Sequence, residues 1–141
     1  MPAYLPSAKE SEHEAQSTVV EWCWWHRARH PELRWLFATV NGAKLPYRKT
    51  RSGGRYSREA VKLKQEGLNP GVSDLCLPVP RNEYCGLWIE MKVGNNKTTD
   101  DQREFIADMN ALGYLAIVCY GSDNAIASIA TYLGIPKEEW W

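Results

Sequence analysis

Apolar and polar positions along this chain change rhythm several times, and each change marks an element. Residues 11–29 lack Gly and Pro and stop before Pro31, with Ala15, Val19, Trp22, Cys23 and His26 recurring every three or four positions. That spacing predicts a first helix, entered through a capping box in which Ser11 precedes Glu14. Residues 33–40 (LRWLFATV) predict a short buried strand ending at Asn41-Gly42. A second, short helix over 57–66 stops at Gly67. Residues 74–79 and 84–93 flank Pro80-Arg81-Asn82-Glu83, so an antiparallel pair is the simplest arrangement, although Pro78 sits poorly inside a sheet. A helix over 98–112, closed by Gly113, a strand over 114–120 and a last helix over 122–133 complete the series. The order predicts an α/β domain, a mixed sheet flanked by helices on both faces.

Size agrees with this order: 141 residues make one domain, with its core expected over about 11–133. The N-terminal MPAYLPSAKESEHE has no signal-type apolar region, no run is long enough to span a membrane, and Cys23, Cys76, Cys85 and Cys119 are scattered singly. These features point to a reduced, cytoplasmic setting with no membrane partner. Seventeen basic residues cancel seventeen acidic ones overall, but not locally. Lys44, Arg48, Lys49, Arg51, Arg55, Arg58, Lys62 and Lys64 crowd one stretch against the single acid Glu59, whereas residues 98–141 hold seven acids against Arg103 and Lys137. A polyanion such as DNA would be drawn to one side, with Lys44, Arg48, Lys49, Arg51, Arg55, Arg58 and Lys62 as the expected phosphate contacts; a solvated basic surface is the plainer alternative.

Chemistry concentrates on the hairpin. Alternation along its second strand sends Leu87, Ile89 and Met91 one way and Trp88, Glu90 and Lys92 the other. A hairpin symmetric about Asn82 sets Asp74 opposite Glu90, so two carboxylates and a lysine converge, a seat for a hard divalent cation bound by oxygen. A surface ion pair is the plain reading of Glu90 and Lys92. Glu12 leads the apolar stripe of the first helix and so points toward the core side, while Glu14 is occupied by the capping box. Gln102 is ambiguous: it completes a capping box with Thr99 and also leads the stripe Phe105, Ile106, Met109 and Leu112.

Taken in order, Glu12-His13 with Gln16, Asn41-Gly42, Gly71-Val72-Ser73-Asp74, Ile89-Glu90-Met91-Lys92, Gln102 and Gly113-Tyr114 resemble the VRR-NUC branch of the PD-(D/E)XK nucleases, over nearly the whole chain and without an appended domain, as in small stand-alone bacteriophage members. The resemblance implies a restriction-endonuclease-like fold and a divalent-metal-dependent endodeoxyribonuclease using Mg2+ or Mn2+. It implies that Glu12, Asp74, Glu90 and the backbone carbonyl of Met91 contact metal, that Lys92 orients or activates the attacking water, and that Gln102 supports the site. It further implies a Holliday-junction-resolvase-like homodimer acting on branched or four-way DNA, in a host cell's cytoplasm if phage-encoded. Ser73 departs from the proline usual before the aspartate. The competing expectation is a non-catalytic nucleic-acid-binding or assembly module with the same fold.

Other patterns lead elsewhere. Cys23, His26 and His30 fall on one helical face, where packing is favoured over zinc because no fourth ligand is evident and tryptophans adjoin. Of the seven tryptophans, most are expected in the core or a subunit contact, with Trp140 and Trp141 candidates for a dimer interface. Neither a Walker-type phosphate loop nor a Gly-x-Ser-x-Gly elbow is present.

Overall fold

The computed structural model of the chain describes residues 10–40, 48–49 and 55–141. In chain order the elements are α1 (Glu12–His26), a 3-10 turn (Pro31–Trp35), β1 (Phe37–Ala38), β2 (Arg48–Lys49), β3 (Arg55–Tyr56), α2 (Arg58–Gln65), β4 (Leu75–Leu77), β5 (Leu87–Lys92), α3 (Asp100–Ala111), β6 (Leu115–Tyr120), α4 (Ser122–Leu133) and a 3-10 turn (Lys137–Glu139). Strands β1, β4, β5 and β6 form one sheet in that order, antiparallel except for the β5–β6 pair. Helix α3 makes the crossover between the two parallel strands.

The expected mixed sheet with helices on both faces is present. Leu87, Ile89 and Met91 pack into one core with Ala15, Val19 and Trp22 of α1 and Ala125, Ile126 and Ile129 of α4. On the opposite face Phe105 of α3 meets Trp88 edge-on, with ring centroids 5.1 Å apart. Strand β6 is an edge, and the Asn110 side chain substitutes for a neighbour by donating to Ala116 O and accepting from Ala116 N–H, both at 3.0 Å.

Several boundaries differ from the sequence expectations. The strand expected over 33–40 is a 3-10 turn followed by two paired residues at the sheet edge, both exposed. Pro31 opens that turn and Leu33 is its only buried residue, so most of the apolar run is spent before pairing begins. Helix α1 ends at His26, because His26 O accepts from both Arg29 N–H and His30 N–H and the chain turns ahead of Pro31. The basic stretch is not simply loop and helix: β2 and β3 pair antiparallel, Lys49 opposite Arg55. Trp22 is the one fully buried tryptophan; Trp24, Trp25, Trp35 and Trp141 are exposed. Burial fails for Trp24 because the buried face of α1, through Ala15, Val19, Trp22 and Cys23, is already filled. The Arg27 guanidinium covers the Trp24 ring at 3.3 Å instead.

The hairpin register has a local cause. Arg81 pairs with Tyr84 around Asn82 and Glu83, both at positive φ, whereas the ladder proper pairs Leu77 with Leu87. Three residues on the first arm therefore face two on the second. The surplus residue is absorbed at Pro78, where Val79 N–H donates to Leu77 O across a single residue at 2.9 Å. Tyr132 Oη holds the kink by donating to Val79 O at 2.5 Å from α4. Tyr132→Phe strands this buried carbonyl and is expected to lower unfolding free energy by about 1–3 kcal/mol in urea titration.

Candidate active site

The same kink fixes the site. Leu75 pairs with Ile89 and Cys76 with Trp88, so continuing the ladder one step sets Asp74 beside Glu90, as the symmetric hairpin predicted. Asp74 Oδ2 accepts from Met91 N–H at 2.7 Å, and Thr39 secures the neighbouring backbone by donating N–H to Asp74 O and its hydroxyl to Ser73 O. Gly71, at the start of the same loop, lies so close to the first turn of α3 that a Cβ there would come within 2.4 Å of Asp101 O. Only glycine lets this loop reach the helix.

Glu90 is 2% exposed and Lys92 7%, so neither belongs to a solvated surface pair. Burial, reinforced by the neighbouring Asp74 carboxylate, pushes the Glu90 carboxyl up to about 8 despite the opposing pull of Lys92. Lys92 Nζ stands 3.6 Å from Glu90 Oε1 and 3.8 Å from Glu12 Oε1. Glu12 thus comes over the strand end from α1, and Asn96 Nδ2 donates to the same Glu12 oxygen at 3.2 Å. Glu14 lies on the exposed side of α1 in a complete capping box, where the Ser11 backbone and hydroxyl hold its carboxyl below the usual range. Of the two glutamates, Glu12 is the one that the structure brings to Lys92. Asn96 and Thr39 carry no motif; Gly94-Asn95-Asn96 after a strand signals a turn, not a partner for Glu12.

Gln102 does what its plainer reading expects: its Oε1 accepts from Thr99 N–H at 2.9 Å while Thr99 Oγ1 accepts from Gln102 N–H. The structure ties it to the α3 cap and brings it into no contact with the carboxylates among the described interactions. Of the expected phosphate contacts, Arg58 and Lys62 are exposed on α2, Arg48, Lys49 and Arg55 lie in the β2–β3 ribbon, and Lys44 and Arg51 lie outside the described residues. The Cys23, His26 and His30 row is structural. Cys23 is buried, with its thiol pushed up to about 12 by burial. His26 lies between Trp22 O and Glu139 O, and His30 pairs with Glu139 at 2.8 Å. Trp140 packs partly inside the chain: its carbonyl accepts from Trp22 Nε1 and its own Nε1 donates to Ile135 O.

The carboxylates fit a divalent cation in donor chemistry. Glu90 Oε2 is buried with no hydrogen-bond partner, directly beside Asp74, which leaves a hard oxygen donor unsatisfied where a cation would replace the proton that burial favours. Glu12 meets the Lys92 ammonium rather than the other two acids, and no cluster of three metal-ligating side chains closes among the described residues. Asp74 and Glu90 are thus the two carboxylates that the ladder sets side by side, and Glu12 meets the far side of the Lys92 ammonium.

A VRR-NUC domain model matches residues 11–123, the span that holds α1, the hairpin and α3. The chain belongs to the VRR-NUC family. A solved structure described as a VRR-NUC domain protein is similar to it with a TM-score of 0.69 and 28% identity, covering 92% of this chain and 93% of its own. No curated protein matches. The family fold is nuclease-type and DNA is the partner it implies, and no helix among the described residues is long and apolar enough to cross a membrane.

Glu90 gives the metal-free protein a pH signature. Its folded carboxyl keeps a proton that the unfolded chain releases near 4.5, so the folded state binds more protons between there and about 8. Stability from this group is then present at low pH and is lost as pH rises through that window. Thermal unfolding in chelator should show the melting temperature falling across it, and Glu90→Gln should flatten the decline.

Proposed function

We propose that this protein is a divalent-metal-dependent endodeoxyribonuclease, structure-specific and acting as a homodimer on branched DNA such as a four-way junction. One observation carries the reading: an aspartate, a glutamate and a lysine are buried together on one hairpin, at an energetic cost to the fold that no structural role explains. The family membership supports the nuclease class.

Asp74 and Glu90, with the Met91 carbonyl and Glu12, are the residues that would hold Mg2+ or Mn2+. Such an ion supplies charge neutralisation at the phosphoryl oxygen and lowers the pKa of a water molecule. Met91 N–H fixes one oxygen of Asp74 and would leave the second for the ion. Lys92 brings a cation that the surrounding acids hold in place, and this ammonium would orient the attacking water and stabilise charge on the phosphate. Gln102 acts through α3, whose start it caps next to the Gly71 loop leading to Asp74. Arg48, Lys49, Arg51, Arg55, Arg58, Lys62 and Lys44 are the phosphate contacts, shape rather than sequence being read. Two copies related by a two-fold axis provide the paired cuts a junction requires.

Asp74→Ala, Glu90→Ala and Lys92→Ala should each abolish junction cleavage in magnesium or manganese while remaining folded by circular dichroism. Glu12→Gln should reduce activity far more than Glu14→Gln. Full turnover by purified Glu90→Ala would replace the nuclease reading with a non-catalytic DNA-binding module. Charge reversal at Arg48, Lys49, Arg51 and Arg55 should weaken binding to every duplex substrate and lower the slope of log affinity against log salt by about 0.9 per lost contact. A monomeric mass by light scattering would leave the metal chemistry standing and remove the paired-cut reading.

A further inference from the structure

Glu10, the residue that precedes the matched family span, is bonded to the start of α4. Helix α4 begins without a capping side chain of its own, because its N-cap is Gly121 at φ +84°. Ser122, fully buried, carries one of the first-turn N–H groups that the helix itself does not bond. The acceptor comes from a distant part of the chain: Glu10 Oε1 accepts from Ser122 N–H at 2.8 Å, and the Ser122 hydroxyl donates within 3.0 Å of both Glu10 oxygens. A Cβ on residue 121 would stand 3.2 Å from Glu10 Oε1, so the missing local cap is also what makes room for the remote one.

The junction closes a circuit around the site. Gly121 N–H donates to Lys92 O at 2.8 Å, which ties the start of α4 to the last residue of β5. Glu10 ties that same turn to the start of α1, and two residues further on Glu12 reaches Lys92 Nζ at 3.8 Å. Ser11 and Ala15 extend the link into the helix, since Ala15 N–H donates to Ser11 O at 2.9 Å. Position 121, at positive φ, supplies no side-chain cap; the acceptor instead sits on the two-residue arm that carries Glu12. We infer that Glu10 is a positioning residue: by capping α4 it pins the start of α1 so that Glu12 is delivered to the Lys92 end of the site. This inference rests on the proposed metal-dependent cleavage only for its effect on catalysis. The anchoring itself is a property of the metal-free chain.

The test uses full-length Glu10→Ala and Glu10→Gln. Hydrogen exchange on metal-free protein should show the Ser122 and Ala15 amides losing protection together in Glu10→Ala. Both should keep it in Glu10→Gln, whose amide carbonyl still accepts from Ser122 N–H. Loss at Ser122 with Ala15 unchanged would overturn the anchoring, leaving a cap for α4 alone. In cleavage assays Glu10→Ala should raise the Mg2+ concentration for half-maximal rate by roughly tenfold, the scale of a group that orients a metal ligand. The rate at saturating Mg2+ should be kept, Glu10→Gln should stay near wild type, and the shift should disappear in a Glu12→Gln background. A full shift remaining in that background would overturn delivery through Glu12. Absence of any metal-dependent cleavage by the wild type would reject the proposed activity, with the exchange result still deciding whether Glu10 anchors α1.

Discussion

Asp74 and Glu90 occupy one step of a buried ladder, and the rest of the site follows from what holds them there. Two carboxylates side by side away from water repel each other and lose hydration, so they stay together only if something larger fixes the strands. Here it is the apolar register: Leu75, Leu77, Leu87, Ile89 and Met91 are all essentially buried, and a one-residue slip would turn the entire set toward the wrong face. The surplus residue at Pro78, clamped through Val79 by Tyr132, sets that register. The core thus offsets the repulsion of the acids.

The site borrows from three other elements. Helix α1 brings Glu12 to Lys92 from the far side of the strand end, Thr39 steadies the loop that carries Ser73 and Asp74, and Asn96 holds Glu12 from the turn after β5. Lys92 lies between Glu90 and Glu12, and its ammonium partly satisfies both. Glu90 Oε2 and Ser73 Oγ are nonetheless buried without partners. Ser73 stands where the proline usual in the family would bring no hydroxyl. Removing it as Ser73→Ala relieves an orphan.

The legible parts of the sequence were those governed by local rules. Both capping boxes, the alternation along β5 and the span of α4 follow from side-chain spacing and cap chemistry, and they agree with the structure. The misread parts depend on tertiary competition. Residues 33–40 look like a buried strand because of their apolar content, yet Pro31 diverts their first half into a turn and the sheet edge takes only Phe37 and Ala38. The exposure of Trp24 and Trp25 follows from a buried face of α1 already occupied by smaller residues and Trp22, which hydrophobicity alone does not rank. Glu10, Thr39 and Asn96 were invisible because their partners lie 112, 34 and 84 positions away.

The central claim is that Asp74 and Glu90 jointly hold a divalent cation at the hairpin. Anomalous diffraction from a crystal equilibrated with Mn2+ tests it without reference to any DNA substrate. The account predicts one anomalous peak bonded to oxygens of both Asp74 and Glu90, with the Glu12 side chain turned from Lys92 toward it. A manganese-saturated crystal with no peak between those two carboxylates, or with its peak bonded to neither, would contradict it.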